Sequence, residues 1–270
     1  MSQGGVISRP NVPTFARASG LWRVGEVFNA RTTDTWPRVI TIPDIGDPFL
    51  GGFFAGIIDT NQPGAILPED QYQTPLRYAL IVSPRSLQID APWRTTSTTV
   101  VEAQTRWNGL AAQELLTPNT TFAAFDYCNG LPFPDDGGSK WYLPALDELT
   151  EAYWNLKPTT DDNLTGTTGR DFPDDDFNNG ELFSTDPQRP PFTAGTPDQT
   201  DVTDFKEGGD QDFIQVGGAN RNFWSASWAA SDRAWNVNFS AGSPNALNTQ
   251  TTTRRVRPFR RFVLPIEEQP

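Results

Sequence analysis

The sequence predicts an α+β domain rich in loops, and three observations carry that expectation. The stretch SKWYLPALDELTEAYWNLK at 139–157 has helical periodicity. Short runs such as RYALIVSP and RAWNVNFS read as strands. The 22 glycines and 24 prolines, with abundant Asn, Thr and Asp, assign much of the remaining chain to turns and loops. At 270 residues the chain is long enough to bury a sizeable core as one large domain, or as one domain with an attachment segment.

Taken in order, residues 1–45 differ in character from the rest of the chain. Prolines at 10, 13, 37 and 43 interrupt them, and their apolar residues are dispersed among Gly, Asn and Arg, so the segment lacks a pattern with which to build its own core. It nevertheless holds Phe15, Leu21, Trp22, Val27, Phe28 and Trp36, more large apolar groups than a plain linker needs. The segment is either an extended arm that orders against another surface, in its own oligomer or a larger particle, or an irregular lead-in packed on its own domain. From Phe49 onward FLGGFFAGII, with Gly51, Gly52 and Gly56, predicts a strand that another backbone approaches closely. RYALIVSP predicts a buried strand over 78–82, and APWRTTSTTV a further extended piece with Trp93 in the core. The segment 103–121 reads as a polar turn around Asn108 and Gly109, after which Thr120 or Thr121 caps a helix whose inward face is Ala124, Phe125, Cys128 and Leu131.

The clearest element is the helix over 144–157. Pro144 suits its first turn, and Leu146, Leu149, Tyr153 and Leu156 recur at helical spacing on one face. Asp147, Glu148, Thr150, Glu151 and Asn155 are expected to face away from the core, with Asp147 and Glu148 near the positive end of the helix dipole and Lys157 near the negative end. A polar excursion occupies 158–215. Within it Asp174, Asp176 and Asn178 alternate as calcium-loop ligands do, yet Asn179 and Thr185 stand where such a loop needs Gly and a bidentate Glu, and Gly180 comes one place late. An acidic solvated loop is the expectation there; calcium is the alternative, and no other cofactor is expected. The last third supplies FWSASW at 223–228, the strand RAWNVNFS, a polar turn through SAGSPNALNTQTTT, and RRVRPFRRFVLP with anchors Val256, Pro258, Phe259, Phe262 and Leu264. Arg254, Arg255, Arg257, Arg260 and Arg261 are expected to pair with acidic loops and hold a sheet edge. The domain therefore spans 46–265, with 266–270 as a tail.

Composition narrows the chemistry. Histidine is absent and Cys128 is the single cysteine, which removes Ser-His-Asp and Cys-His nucleophile systems, histidine zinc sites and any internal disulfide. Cys128 itself, flanked by apolar pattern positions, reads as an inert buried thiol. A net charge of −12 argues against nucleic acid or an anionic membrane as partner. No 18-residue apolar window predicts a membrane span, and the N-terminus MSQGGVISRP lacks the apolar core of a signal peptide. Carboxylates are plentiful, but no pair has diagnostic spacing, so no enzyme is expected.

In sequence order KWYLPALDELTEAYWNLKP, FWSAS, the Ala-Trp strand and VRPFRRF resemble the C-type-lectin-fold domain of phage virion proteins and bacterial surface proteins, with its W-Y-L-P-S-x-x-E-L helix, Y-W-S-S segment and terminal V-R-P-V-R-x-F. GGFFAG, YALIVSP and WRTT resemble the version found in tail-fibre and other virion proteins, so the resemblance covers about 49–264. It implies two helices flanking a twisted antiparallel sheet, with the N- and C-terminal strands adjacent. It also implies a ligand face between the tryptophan-serine segment and the terminal strand: Ser227, Trp228, Asp232, Arg233, Trp235, Asn236, Asn238, Ser240, Ser243, Asn245, Asn248 and Thr249. Small polar groups around rigid aromatic anchors suit adaptable recognition. The chain departs from the pattern at Ala226-Ser227, where Ser-Thr is usual, and lacks the cysteines of the related sulfatase-activating oxidase. No counterpart of the Glu-Pro-Asn sugar motif stands beside a W-N-D run, PDQTD at 197–201 lying in the excursion.

The expected function is that of a phage virion structural protein of a tail fibre, tail tip or head fibre. Its lectin-like domain would bind a host cell-surface receptor, protein or glycan, and residues 1–45 would attach it to other virion proteins. A homo-oligomer is expected, a trimer by analogy with fibres. The alternative is a purely architectural decoration or adaptor subunit without receptor contact.

Overall fold

Two sheets and the long buried helix between them build a mixed α+β fold. The computed structural model describes residues 27–30, 38–60, 76–96, 100, 105–133, 135–165, 185–214, 221–230, 232–246 and 248–264. In chain order the elements are β1 (Val27–Ala30), β2 (Arg38–Thr41), β3 (Pro48–Phe49), β4 (Gly52–Asp59), β5 (Arg77–Val82), β6 (Ile89–Pro92), α1 (Gly109–Leu116), α2 (Ala123–Asn129), α3 (Leu146–Leu156), β7 (Asn222–Ala230), β8 (Arg233–Asn238), β9 (Ser243–Asn245), β10 (Thr253–Val256) and β11 (Phe259–Val263). A four-stranded antiparallel sheet has the order β11-β5-β4-β3. A five-stranded sheet has the order β6-β10-β7-β8-β9 and is mixed, because β10 lies parallel to β7. β1 and β2 form a separate two-stranded ladder.

Apolar side chains alternate across both sheets and divide the interior into three clusters. The central one gathers Tyr78, Leu80 and Val82 of β5, Leu146, Leu149, Tyr153 and Leu156 of α3, and Phe223, Trp235 and Val237 of β7 and β8. Behind the five-stranded sheet, α1 and α2 cover Trp224, Ala226, Trp228 and Ala234 with Ala112, Leu116, Phe125 and Cys128. On the outer face of the four-stranded sheet Phe49, Phe54, Ile57, Ile81 and Phe262 pack with Ile42. Two glycines make room for the central layer. A Cβ at Gly52 would stand 2.4 Å from the Val82 carbonyl of β5, the close backbone approach expected of this strand; one at Gly56, whose φ is +138°, would meet Glu151 of α3 at 2.5 Å.

Three helices are present among the described residues where the resemblance implied two. The extra one is α1, at the position read as a polar turn: Asn108 is its N-cap and accepts from the Ala111 N–H. An Asn-Gly pair serves a turn or a helix start equally well, and the buried Leu110, Ala112 and Leu116 decide for the helix. α2 buries Ala124, Phe125 and Cys128, but it ends at Asn129, leaving Leu131 half-buried in the turn beyond it; neither Thr120 nor Thr121 caps it.

The larger correction concerns α3. Asp147, Glu148, Thr150 and Glu151, expected to face away from the core, are all buried, and Asn155 is half-buried. A helix enclosed by sheets and loops has no solvent side, so its polar residues are matched with polar partners instead. The described parts of the 158–215 excursion likewise return to the core: Phe205 and Phe213 are fully buried, and the Phe213 ring stacks on Phe239 at 3.9 Å. Asn163 ties the excursion down by donating to the Thr193, Ala194 and Pro197 carbonyls, and Lys157 donates to the Pro197 carbonyl. The candidate calcium ligands Asp174, Asp176 and Asn178 lie outside the described residues, as do 1–26 and 31–37 of the arm.

Candidate functional site

The polar positions singled out in the sequence lie on and beside the β7–β8 hairpin. Trp224 pairs with Asn236 and Trp228 with Ala234, so four steps along β7 cover two along β8 and the intervening residues bulge. The bulge seats α3. Ala226 donates its N–H to the Pro144 carbonyl at 2.6 Å; the Ser227 hydroxyl donates to the Thr105 carbonyl at 2.5 Å and accepts from the Leu146 N–H at 2.9 Å. The Arg106 carbonyl accepts the next helical N–H, that of Asp147. Donors that a local cap would satisfy are thus satisfied by distant segments.

Five of the expected ligand contacts are therefore corrected. Ser227, Trp228, Trp235, Asn236 and Ser240 are buried, and their side chains serve the fold. Trp235 belongs to the central cluster and Trp228 to the one behind the sheet, so the two rings occupy different layers rather than one display face. Asn236 donates its side-chain amide to the Asn245 carbonyl, fastening β9 to β8, and Ser240 is held by the Asn238 side chain.

The other seven form a polar rim. Asn238 stands opposite Ser243 and Asn236 opposite Asn245 in the β8–β9 ladder, and β9 is an edge of its sheet. Arg233 bridges Thr249, the Asp232 carbonyl accepts the Gln250 N–H, and the Asn248 side chain accepts from Arg254 at 2.5 Å. Arg233 is exposed, and Asp232, Asn238, Ser243, Asn245, Asn248 and Thr249 are partly exposed. Their chemistry is that of amide, hydroxyl and one charge of each sign. It suits hydrogen bonding to a polar surface and offers no paired carboxylates for acid–base work.

A buried polar network lies along α3, and the sequence reading missed it. Glu148 Oε1 accepts from the hydroxyls of Tyr78 (2.5 Å) and Tyr142 (2.8 Å), and Oε2 from the N–H groups of Ala145 (2.7 Å) and Gly109 (3.1 Å). Burial raises the Glu148 pKa despite these donors and the nearby Arg261, and it pushes both tyrosines well up. Glu151 holds Arg189 through two hydrogen bonds, and its pKa too is raised by burial, against the pull of that guanidinium. The Glu at the third position of the helix was the available signal, since such a residue reaches back to the cap N–H.

The terminal arginines turn inward. Arg257 donates to the carbonyls of Ser83, Gln211 and Asp212, and Arg260 to those of Ser139 and Leu50 and to Asp136. Burial lowers the Arg257 pKa to about 9, still cationic at neutral pH. Each guanidinium thus joins loops far apart in sequence to the end strands. Among the described residues no group of three or more Asp, Glu, Cys or His side chains is placed to hold a metal ion, and no helix is long and apolar enough to cross a membrane.

No protein family and no curated protein matches the chain. Among solved structures it is similar to a fimbrial protein from Bacteroides ovatus, at 13% identity and a TM-score of 0.44, over 88% of this chain and 48% of that one. The chain thus spans about half the length of that protein.

Proposed function

We propose that this protein is a phage virion structural protein whose C-type-lectin-like domain presents the β8–β9 rim to a receptor on the host cell. The observation that carries the reading is the contrast between rim and support. Seven small polar or charged side chains cluster at a sheet edge, on a hairpin whose inner residues are locked by two buried tryptophans and the bulge that seats α3. Rigid elements under an adaptable polar surface are what recognition requires. In the four-stranded sheet β11 pairs with β5 and not with β3 or β4, so the last strand shares a sheet with the first strands of the domain without lying directly beside them. Residues 1–45 attach the chain to the particle, and the domain works without catalysis or cofactor.

A second reading, a decoration or adaptor subunit that contacts only its virion neighbours, is favoured by the burial of Trp228 and Trp235, which leaves the rim without exposed aromatic anchors. The two separate in one experiment. Purified Arg233→Glu/Asn245→Ala protein is compared with wild type as a competitor of phage adsorption, and the same variant is scored for incorporation into particles. Loss of competition with normal incorporation supports receptor binding. Absence of competition by the wild-type protein refutes it, and loss of incorporation favours the architectural role.

A further inference from the structure

We infer that the turn leading from β9 into β10 carries an oxyanion site built on Arg94 and Arg254, and that the receptor group it takes is acidic, a carboxylate or a phosphate. The choice of ligand rests on the receptor reading; the site itself does not. Its basis is a set of donors without acceptors. Arg94 Nε and Nη1 and Arg254 Nε are shut off from solvent, and among the described residues none of these atoms has a hydrogen-bond partner. Buried polar groups are ordinarily satisfied, so orphaned guanidinium donors gathered at one turn call for an acceptor.

Other arginines of the fold are treated differently. Arg257 donates from Nε, Nη1 and Nη2 to the carbonyls of Ser83, Gln211 and Asp212. Arg260 fills its three nitrogens with the Ser139 and Leu50 carbonyls and Asp136, and Arg189 meets Glu151 and Asn155. Among the described residues neither Arg94 nor Arg254 is in an ion pair with a carboxylate.

Backbone pairing brings the two side chains to one place. Thr253 of β10 faces Pro92 of β6, and just beyond this pair the Arg94 N–H donates to the Gln250 carbonyl at 3.0 Å. Arg254 stands opposite Ala91, so both of those side chains leave the sheet on the same face. Ala91 packs there with Trp93 and Phe122, and the Arg94 guanidinium lies 4.5 Å over the Phe122 ring. The Asn248 oxygen accepts from Arg254, which leaves the Asn248 amide N–H groups as further donors at the turn. Asp232, joined to the turn through the Gln250 N–H, has Arg233 beside it at 3.9 Å. This end of the sheet therefore holds a surplus of cation in a chain of net charge −12. Guanidinium and amide donors together select an anionic group that only accepts hydrogen bonds, as a carboxylate or a phosphate does.

The test follows the Nε–H resonances of Arg94 and Arg254 by NMR in the purified full-length protein. Glucuronate, inorganic phosphate and, as the uncharged control, glucose are titrated in turn, with chloride holding the ionic strength constant. Saturable shifts with glucuronate or phosphate, and none with glucose, are expected. Tighter binding of glucuronate marks an acidic sugar as the receptor group, and tighter binding of phosphate marks a phosphate. Arg94→Gln and Arg254→Gln, each checked by near-UV circular dichroism and followed on the remaining arginine, should weaken the binding by about tenfold or more. Wild-type protein without saturable shifts overturns the proposal whatever the variants do, as does an affinity that neither variant lowers. Adsorption is scored separately. Wild type that competes with phage while Arg94→Gln competes equally well overturns the acidic receptor group but not the rim. Wild type that does not compete removes the receptor reading, and the titration alone then decides the site.

Discussion

Replacing Glu148 probes the buried network on which α3 is seated. The carboxylate accepts from four donors: the hydroxyls of Tyr78 and Tyr142 and the N–H groups of Ala145 and Gly109. In Glu148→Ala, Tyr78 retains the Trp107 carbonyl at 2.6 Å as an acceptor, and the other three donors are left without one. At about 1–3 kcal/mol for each buried unsatisfied group the loss is about 3–9 kcal/mol, against a total stability of about 5–15 kcal/mol for a typical domain. Glu148→Gln keeps one oxygen for the two N–H groups, and its amide can donate to the Tyr78 oxygen while Tyr78 donates to Trp107; the Tyr142 hydroxyl alone loses its acceptor, so the expected cost is about 1–3 kcal/mol. Urea unfolding followed by tryptophan fluorescence measures both. An alanine variant within about 1 kcal/mol of wild type, or a glutamine variant as damaged as alanine, refutes the reasoning. The pH dependence adds a sign. Because the Glu148 pKa is raised in the folded protein, its contribution is fully present below the unfolded pKa and is lost as pH rises through the folded value. Wild type should therefore gain stability relative to Glu148→Gln as the pH falls towards the ordinary carboxylate range, and a flat or opposite trend contradicts the burial argument.

The same packing sets two further outcomes. Ser227→Ala leaves the Leu146 N–H and the Thr105 carbonyl without their partner and should cost about 2–6 kcal/mol in thermal or urea unfolding; a neutral result would mean that the β7 bulge does not anchor α3. Cys128 is fully buried and its thiol pKa is pushed up by that burial, so a thiol reagent should modify it only as the protein unfolds. Rapid labelling of the native protein would contradict its place behind the sheet.

The elements with strong local signals were legible in the sequence. The stretch over 78–82 is β5, the helix at 146–156 carries its apolar stripe into the central cluster, and Trp93, Val256, Phe259, Phe262 and Leu264 are buried as their patterns imply. α1 was not legible, because Asn108-Gly109 is ambiguous until the surfaces that bury Leu110 and Leu116 exist. For the candidate site, local sequence did not tell exposed positions from buried ones. The candidate positions came from the resemblance, carried over by place in the sequence; Arg233, Asn238, Ser243 and Asn248 lie at the surface, whereas Ser227 and Asn236, just as polar, are fully buried.

Residue type and spacing by themselves determined an α+β chain with a central amphipathic helix, and they left no histidine and a single cysteine for side-chain chemistry, because those are properties of composition and local periodicity. Tertiary structure alone decided which polar groups face inward. Glu148 meets Tyr78 across 70 positions, Ser227 meets Leu146 across 81, and Arg257 meets Ser83 across 174. No local pattern encodes such distances, and a buried polar residue is stable only where the fold brings its partner to it.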